Sequence, residues 1–230
     1  MILAVIPARY GSKRLPRKNI IKFNGKPMIY WTIKAAIKSN IFDYIIVSTD
    51  SKKIARISKK FGASVPFLRE KKYADNKVPV HQVTVHTINK LHDKLGLKFK
   101  TVIQLMPNCP LRNYKDIIRA YKNFKKKQNN FQLSCFKFSF MNPWWSHKVN
   151  KISGKAKEIF RNKIKARSQD LEDLYCPTGA IWIANTKQLI REKTFYGKNY
   201  SFFEMNWKNA LDIDNYEDIE LSLIAKKITK

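Results

Sequence analysis

The stretch that decides the fold is Ile2-Leu-Ala-Val-Ile-Pro-Ala-Arg-Tyr-Gly-Ser-Lys-Arg-Leu-Pro-Arg-Lys-Asn19. It begins as an apolar run of strand length and continues into a loop with one glycine, one serine and two prolines. The loop also carries five cations: Arg9, Lys13, Arg14, Arg17 and Lys18. Backbone N–H groups and fixed positive charges can converge on an anion in such a loop. The pattern therefore predicts a phosphate-binding loop at the end of a buried strand.

The order of residues in this loop narrows its identity. It contains neither the Walker A pattern nor Gly-x-Gly-x-x-Gly, and a basic surface loop after an edge strand is the alternative. The segment Pro7-Ala8-Arg9-x-Gly11-Ser12-Lys13-Arg14-x-Pro16-x-Lys18-Asn19 resembles the N-terminal signature of the acylneuraminate cytidylyltransferases, the CMP-sialic acid and CMP-nonulosonate synthetases. The resemblance implies an α/β nucleotidyltransferase that couples CTP to a nine-carbon 2-keto-3-deoxy sugar acid and releases pyrophosphate.

Length and composition fit one large domain or a domain with a small insertion. The chain has 230 residues, and its apolar content of 44% is enough for a sizeable core. The opening apolar run is too short for a membrane span and lacks the features of a signal peptide. Three scattered cysteines predict reduced thiols in the cytoplasm, with neither a disulfide framework nor a zinc site.

The net charge of +29 has two interpretations. One is a polyanionic partner such as nucleic acid, and the other is a general lysine bias on solvated faces. The cations are spread along the whole chain, and no nucleic-acid-binding motif is present. We therefore expect no nucleic acid and no membrane as partner. A positive field still favours anionic small substrates.

Strand-like and helix-like segments alternate along the chain. The predicted strands are 2–6, 43–48, 101–106, 132–138 and 179–184. The predicted helices are 27–39, 51–61, 79–95, 113–127 and 215–228, with Asp50 or Ser51 capping the second and Asn113 the fourth. This alternation predicts a Rossmann-like α/β fold, with a mostly parallel sheet that carries helices on both faces. Such sheets bind ligands beyond the carboxyl ends of their strands.

The alternation breaks between residues 139 and 176. We interpret 1–230 as a single nucleotidyltransferase domain with 139–176 as an inserted lobe. In the resembled family an insertion here makes the dimer contact and reaches the neighbouring active site. The resemblance thus implies a homodimer in which Arg167 and Gln169 bind the neighbour's sugar acid. Trp144-Trp145 fits a buried contact between subunits, and local packing is the alternative.

A second motif is Asp212-Ile-Asp214. On an extended backbone residues i and i+2 point to the same side, so the two carboxylates converge. Two carboxylates suit Mg²⁺, which keeps water and substrate phosphate oxygens as its other ligands. By itself the motif also fits a solvated turn. It matches the Asp-Ile-Asp element that precedes the last helix in the resembled family, which implies Mg²⁺ at Asp212 and Asp214.

The resemblance also assigns roles in the basic loop. It implies nucleotide binding by Ala8, Arg9, Ser12, Lys13 and Asn19, with Arg9, Lys13 and Lys18 as the catalytic cations. It further implies that Arg69 lines the cytosine pocket, for which a surface arginine is the alternative, and that Arg112 positions a turn. Cations and a metal are needed because CTP and a sugar acid are both anions that repel each other.

Four positions depart from the family pattern. Met106 stands where many members have glutamine, and Ser168 where they have arginine. Cys176 and Thr178 replace the arginine and asparagine of Tyr-Arg-Pro-Asn-Gly. Cations and a polar amide that could read the sugar are missing, so the identity of the sugar acid stays open and N-acetylneuraminate is disfavoured.

The sequence thus predicts a Mg²⁺-dependent cytidylyltransferase that activates a nonulosonic acid for surface glycan assembly. One alternative is the related transferase for 3-deoxy-manno-octulosonate, whose loop usually differs at Lys18-Asn19. The other is a basic, non-catalytic binding protein on the same fold. The presence of Arg9, Lys13, Asp212 and Asp214 argues against this last interpretation.

Overall fold

The computed structural model of the protein describes residues 1–75, 77–139 and 141–228; Phe140, in the predicted lobe, lies outside them. The strands are β1 (Ile2–Pro7), β2 (Lys22–Phe23), β3 (Lys26–Pro27), β4 (Tyr44–Ser48), β5 (Thr101–Gln104), β6 (Phe131–Lys137), β7 (His147–Val149), β8 (Ala156–Glu158), β9 (Tyr175–Asn185) and β10 (Ser201–Glu204). The helices are α1 (Met28–Ser39), α2 (Lys52–Lys60), α3 (Val80–Leu95), α4 (Tyr114–Lys127), α5 (Thr186–Glu192), α6 (Trp207–Ala210) and α7 (Tyr216–Lys227). None of these helices is long and apolar enough to cross a membrane.

Six strands form the central sheet, in the order β10-β6-β9-β5-β1-β4. β1 pairs in parallel with both β4 and β5, and β10 pairs in parallel with β6. β9 runs antiparallel between β5 and β6. The prediction of a mostly parallel sheet is therefore confirmed, with one antiparallel strand at its centre.

Both faces of the sheet are covered by helices. Along β1, Ala4 and Ile6 pack into a core with residues of α1, α2 and α4. Leu3 and Val5 point to the opposite face and pack with residues of α3 and α5. A strand buried on both faces reads as a continuous apolar run, as parallel sheets require. The carboxyl end of β1 thus leads the basic loop out of a rigid core.

The predicted strands and helices all form, with ends shifted by a few residues. Ser51 rather than Asp50 caps α2, since its side chain accepts the N–H of Ile54. Asn113 caps α4 in a capping box with Asp116. These polar caps satisfy backbone N–H groups that the first helical turn leaves unpaired.

Several elements were not predicted. β10, α5 and α6 lie in the polar and aromatic region between residues 186 and 210, and none of them is long enough to show a clear hydrophobic period. β9 begins at Tyr175, four residues before its predicted start, because its first half extends beyond the core to pair with Phe136 and Lys137.

The predicted lobe contains a short antiparallel hairpin of β7 and β8 and two single-turn 3₁₀ segments. Trp144 packs within it, 5.0 Å from the ring of Phe160, and donates its indole N–H to the Glu172 carbonyl. Trp145 is 39% exposed and Ile152 is 99% exposed. Trp144 therefore packs within the lobe, while Trp145 is the more exposed of the two tryptophans.

Candidate active site

A small apolar cluster joins the two sequence motifs. Leu15 of the basic loop and Ile213 of the Asp-Ile-Asp segment are both fully buried, together with Phe23 and Met28. The backbone of Ile213 also exchanges hydrogen bonds with Asn108, at 2.8 and 3.3 Å. Since Ile213 points into this cluster, Asp212 and Asp214 on either side of it are directed away from the cluster.

The basic loop is held in a defined shape by its own polar groups. The buried Asn19 donates its amide N–H to the Arg9 carbonyl at 2.7 Å. Asp50, at the end of β4, accepts the N–H of Tyr10 at 2.9 Å. Arg17 adopts a left-handed backbone with φ of 55°, which is unfavourable for a residue with a Cβ. Strained residues of this kind are often found at ligand sites.

The first part of a cleft opens beside this loop, as a cavity of about 190 Å³. Its walls come from the basic loop, the segment after Arg69 and the start of α3. The lining residues whose chemistry suits a nucleotide are Arg9, Gly11, Ser12, Lys18, Asn19, Arg69 and Tyr73. Cations and small residues on one wall face a buried arginine and an aromatic ring on the other.

Arg69 is buried at the back of this cavity. Its guanidinium donates to the carbonyls of Ser48 and Tyr73, and so ties β4 to the 69–73 segment. Burial lowers the pKa of Arg69 to about 10; Asp50 opposes this effect and Arg9 adds to it. The group stays cationic at neutral pH, and the alternative of a surface arginine is wrong.

Asp214 is paired with two cations of the basic loop. Lys18 Nζ lies 2.6 Å from one carboxylate oxygen, and Arg14 binds the other. Burial alone would raise the pKa of Asp214, but the ion pairs with Lys18 and Arg14 hold it below its ordinary value. Asp214 is therefore a carboxylate at neutral pH.

Asp212 has a different environment. Its carboxylate accepts from the Cys109 thiol, the Thr178 hydroxyl and the Gly179 N–H. Burial raises the pKa of Asp212, and the charge of Asp214 raises it further. The three hydrogen bonds lower it, but the net shift is upward. Burial and the nearby carboxylate also raise the pKa of Cys109 well above its usual range, so this thiol remains a donor. The two aspartates thus differ in basicity.

A second cavity of about 300 Å³ adjoins the first. Lys18, Val80, Met106 and Asn108 line both cavities, so the two form one cleft. The second part is lined by the two aspartates on one side and by rings on the other. Its further lining residues are Pro177, Thr178, Gly179, Trp182, Tyr196, Asp212 and Asp214.

Gly179 lets two walls of the cleft approach closely. A Cβ at this position would lie 2.8 Å from Met106 Cγ and 3.6 Å from an Asp212 oxygen. Backbone bonding also joins the two strands here, since Met106 N–H donates to the Gly179 carbonyl. A side chain at 179 would therefore displace Met106, while Asp212 would be in ordinary contact with it.

The structure brings most of the predicted site residues together. Arg9, Ser12, Lys18, Asn19 and Arg69 line the first cavity, and Asp212 and Asp214 line the second.

Four predicted residues line neither cavity: Ala8, Lys13, Arg167 and Gln169. Ala8 is fully buried with its N–H donated to Ser48, and Lys13 is exposed at the loop tip. Arg167 and Gln169 are exposed on the lobe, where Arg167 pairs with Asp170 at 2.8 Å.

Some residues of the cleft were not singled out from the sequence. Cys109 was assigned no role in the site, yet its thiol donates to Asp212. Tyr73, Trp182 and Tyr196 line the cleft without belonging to a motif, and Asn108 lines it from the turn that Arg112 was expected to position. Only the position of Asn108 and Cys109 within the turn after β5 could have pointed to the site, since that turn leaves a carboxyl end of the sheet.

The turn after β5 is supported from within by Arg112. This side chain is 1% exposed and donates to the carbonyls of Met106 and Ala180. It fixes the turn against β9 without lining either part of the cleft, which agrees with the positioning role expected for it.

Comparison with known proteins identifies the family of this chain. A family model described as cytidylyltransferase matches residues 3–226. The chain is 34% identical over 230 residues to a pseudaminic acid cytidylyltransferase of Campylobacter jejuni, with 98% of this chain and 96% of that protein covered. It is 36% identical to a CMP-N,N'-diacetyllegionaminic acid synthase of Legionella pneumophila, with 96% and 94% covered. The chain belongs to the CMP-nonulosonate synthetase family of cytidylyltransferases.

Solved structures show the fold of this cytidylyltransferase independently. A CMP:2-keto-3-deoxy-manno-octonic acid synthetase superposes with a TM-score of 0.70 at 18% identity, covering 98% of this chain and 99% of the other. A 4-diphosphocytidyl-2C-methyl-D-erythritol synthase from Anaerococcus prevotii gives a TM-score of 0.66 at 13% identity, covering 100% and 98%. The predicted family, nucleotidyltransferase fold and enzyme class are therefore confirmed.

Proposed function

We propose that this cytidylyltransferase couples CTP to an acyl-bearing nonulosonic acid and releases pyrophosphate. The observation that carries the proposal is the two-part cleft, with a cationic loop at one end and rings at the other. Lys18 lines both parts, and its ion-pair partner Asp214 lines the second part together with Asp212. Lys18 is therefore at the position where a nucleotide phosphate and an acceptor hydroxyl would come together.

The first cavity suits the nucleotide. Arg9, Lys18 and Ser12 present charges and a hydroxyl to phosphate oxygens. Arg69 fixes the opposite wall, where Tyr73 supplies a ring for the base. We expect CTP to be preferred over UTP and ATP, in keeping with the family.

The pair Asp212 and Asp214 fits a Mg²⁺ site. Both carboxylates line one cavity beside Ile213. The described residues hold no cluster of three or more carboxylate, thiol or imidazole ligands, and Mg²⁺ needs few carboxylates when substrate phosphates complete its shell. We propose that Asp212 and Asp214 hold Mg²⁺, which when bound would neutralise phosphate charge.

Cations of the chain itself would also neutralise the negative charge of the phosphates. In the proposed reaction an acceptor hydroxyl attacks the α-phosphorus, and pyrophosphate leaves in line. Lys18 is held between Asp214 and the nucleotide cavity, so it can exchange one anion for another without leaving the cleft. Arg14 pairs with the same carboxylate from the loop, outside the cavity linings. Positioned charges of this kind stabilise the charge that develops on the leaving group.

The second cavity supports an acyl-bearing acceptor. Met106, Trp182 and Tyr196 give it apolar surface, and Met106 replaces the glutamine that many relatives carry. A thioether cannot donate hydrogen bonds to sugar hydroxyls, but it packs well against methyl groups. The similar proteins act, by their names, on pseudaminic and N,N'-diacetyllegionaminic acids. We propose an acid of that kind rather than N-acetylneuraminic acid.

We further propose that the enzyme works as a homodimer. The lobe carries exposed apolar side chains, with Met141 at 71%, Val149 at 59% and Ile152 at 99% exposure. Arg167 and Gln169 lie outside the cleft of their own chain. A partner chain would cover the apolar surface and receive these two residues at its acceptor cavity.

The experiment that tests the function supplies CTP, Mg²⁺ and one acid at a time, and measures pyrophosphate. The acids are pseudaminic, N,N'-diacetyllegionaminic, N-acetylneuraminic and 3-deoxy-manno-octulosonic acid. We expect one of the first two to give the highest kcat/KM. Met106→Gln should narrow its advantage over N-acetylneuraminic acid. A highest rate with 3-deoxy-manno-octulosonic acid would refute the acceptor assignment while leaving nucleotidyl transfer intact.

A further inference from the structure

The largest of the cavities described here is not the catalytic cleft. It is a groove of about 590 Å³ between α1, the start of α4 and α7, and its volume is typical of small-molecule sites. Its floor is largely apolar, formed by Trp31, Ala35, Pro110, Leu111 and Leu223. None of its lining residues lines either part of the cleft.

Four lysines surround this apolar floor: Lys34, Lys38, Lys226 and Lys227. Aromatic rings hold three of them in place. Lys226 Nζ lies 4.3 Å and Lys34 Nζ 5.9 Å from the centroid of the Trp31 ring. Lys38 Nζ lies 4.5 Å from the Tyr114 ring. These ammonium groups are therefore directed along the groove walls.

Among the residues that the structure describes, the four lysines have no counter-charge. No Asp or Glu lines the groove, and none of the four makes an ion pair within the described part of the chain. Burial, together with the charge of Lys34, lowers the pKa of Lys226. Crowding like charges around one indole is unfavourable, and a bound anion would relieve it.

We infer that this groove is a second ligand site, for a small phosphorylated molecule with an apolar or aromatic body. The four lysines would take the phosphate, and the floor around Trp31 and Leu223 would take the body. Side-chain amides of Asn24 and Asn113 at the edge offer further polar contacts. The inference does not depend on the acceptor or nucleotide proposed for the cleft.

The groove shares one structural element with the cleft. Residues 110–114 line the groove, while Asn108, on the same turn, lines the cleft. Between them, Cys109 contacts Asp212. A ligand in the groove would therefore touch the element that carries the aspartate's hydrogen-bond donor.

The test is calorimetric titration with three probes: 2-naphthyl phosphate, inorganic phosphate and 2-naphthol. The first has a ring and a phosphate, and the others have one of the two. We expect saturable binding of 2-naphthyl phosphate and at least about tenfold weaker binding of each partial probe. Equal binding of either partial probe would overturn the stated ligand class.

Variants locate the binding. Lys34→Gln with Lys226→Gln should weaken 2-naphthyl phosphate at least about tenfold, and Lys38→Gln alone severalfold. The matched control, Lys125→Gln with Lys126→Gln, removes the same charge from exposed positions of α4 and should change binding less than about twofold. Arg9→Ala, in the cleft, should leave it unchanged. Equal losses in both lysine pairs, or loss in Arg9→Ala, would overturn the groove assignment. Thermal unfolding of each variant checks that it is folded.

Discussion

Lys18 Nζ lies 2.6 Å from an Asp214 oxygen, although 196 positions separate the two residues in the chain. This contact joins the basic loop to the segment that leads into the last helix, α7. Arg14 binds the same carboxylate. The anion that holds these cations in the cleft is thus an aspartate that is also proposed to bind Mg²⁺.

Lys18→Met should therefore impair catalysis. It removes a cation that lines both parts of the cleft, and keeps much of the side chain's length. We expect kcat to fall roughly 10²-fold or more, as for other groups that stabilise transition-state charge. Lys126→Met, which removes an exposed charge, should stay close to wild type. Equal small effects in steady-state assays would mean that net charge, not this site, attracts the nucleotide.

Asp212→Asn and Asp214→Asn should each nearly abolish turnover while the protein stays folded. Each replaces a carboxylate by a neutral amide, which is a much poorer Mg²⁺ ligand. The measurement is pyrophosphate release as a function of Mg²⁺ concentration, with circular dichroism as the folding control. Wild-type rates at ordinary Mg²⁺ in both variants would show that the metal is held elsewhere.

The same two variants should have opposite effects on stability at neutral pH. The pKa of Asp212 is raised above 3.8 in the folded state. Its contribution to folding stability is therefore present at low pH and is lost as pH rises. The pKa of Asp214 is lowered below 3.8 in the folded state. Its contribution to folding stability is therefore present at neutral pH and is lost on acidification. Relative to wild type, Asp212→Asn should gain and Asp214→Asn should lose unfolding free energy at pH 7.

Urea unfolding at pH 7 and near pH 3 checks this prediction. Both differences should shrink at the lower pH, because acidification protonates first Asp212, whose pKa is raised, and then Asp214, whose pKa is lowered. Differences of the same sign at pH 7 would contradict the charge environments described for the two carboxylates.

Several features of the site could be predicted from the sequence. The apolar run at 2–6 predicted the strand β1, and the cations after it predicted a basic loop at the carboxyl end of that strand. Both signals are local in sequence. The spacing of Asp212 and Asp214 gave their convergence. Trp182, Tyr196 and Cys109 were not predicted. Trp182 reaches the cleft through the pairing of β9, and Cys109 through the turn after β5. Tyr196 lies between α5 and β10, with its ring 6.0 Å from that of Trp182. The groove beside Trp31 is likewise assembled from helices distant in sequence.

The proposed dimer predicts complementation between inactive chains. Arg167→Ala should remove a lobe contribution to the partner's acceptor cavity, and Asp212→Asn a cleft contribution in its own chain. A mixed dimer then has one intact composite site, so mixing the two inactive proteins should restore measurable activity. The parents must exchange subunits, which labelled chains can show. No recovery despite exchange, or a monomer in sedimentation at assay concentration, would refute the shared site.

Phosphorus NMR of the protein with CTP, Mg²⁺ and pseudaminic or N,N'-diacetyllegionaminic acid tests the central claim most directly. The account predicts that CTP is converted to equal amounts of pyrophosphate and a CMP phosphodiester, only when the acid is present, and that Asp212→Asn prevents it. Unchanged CTP with either acid, or free CMP and pyrophosphate formed without any acid, would contradict it.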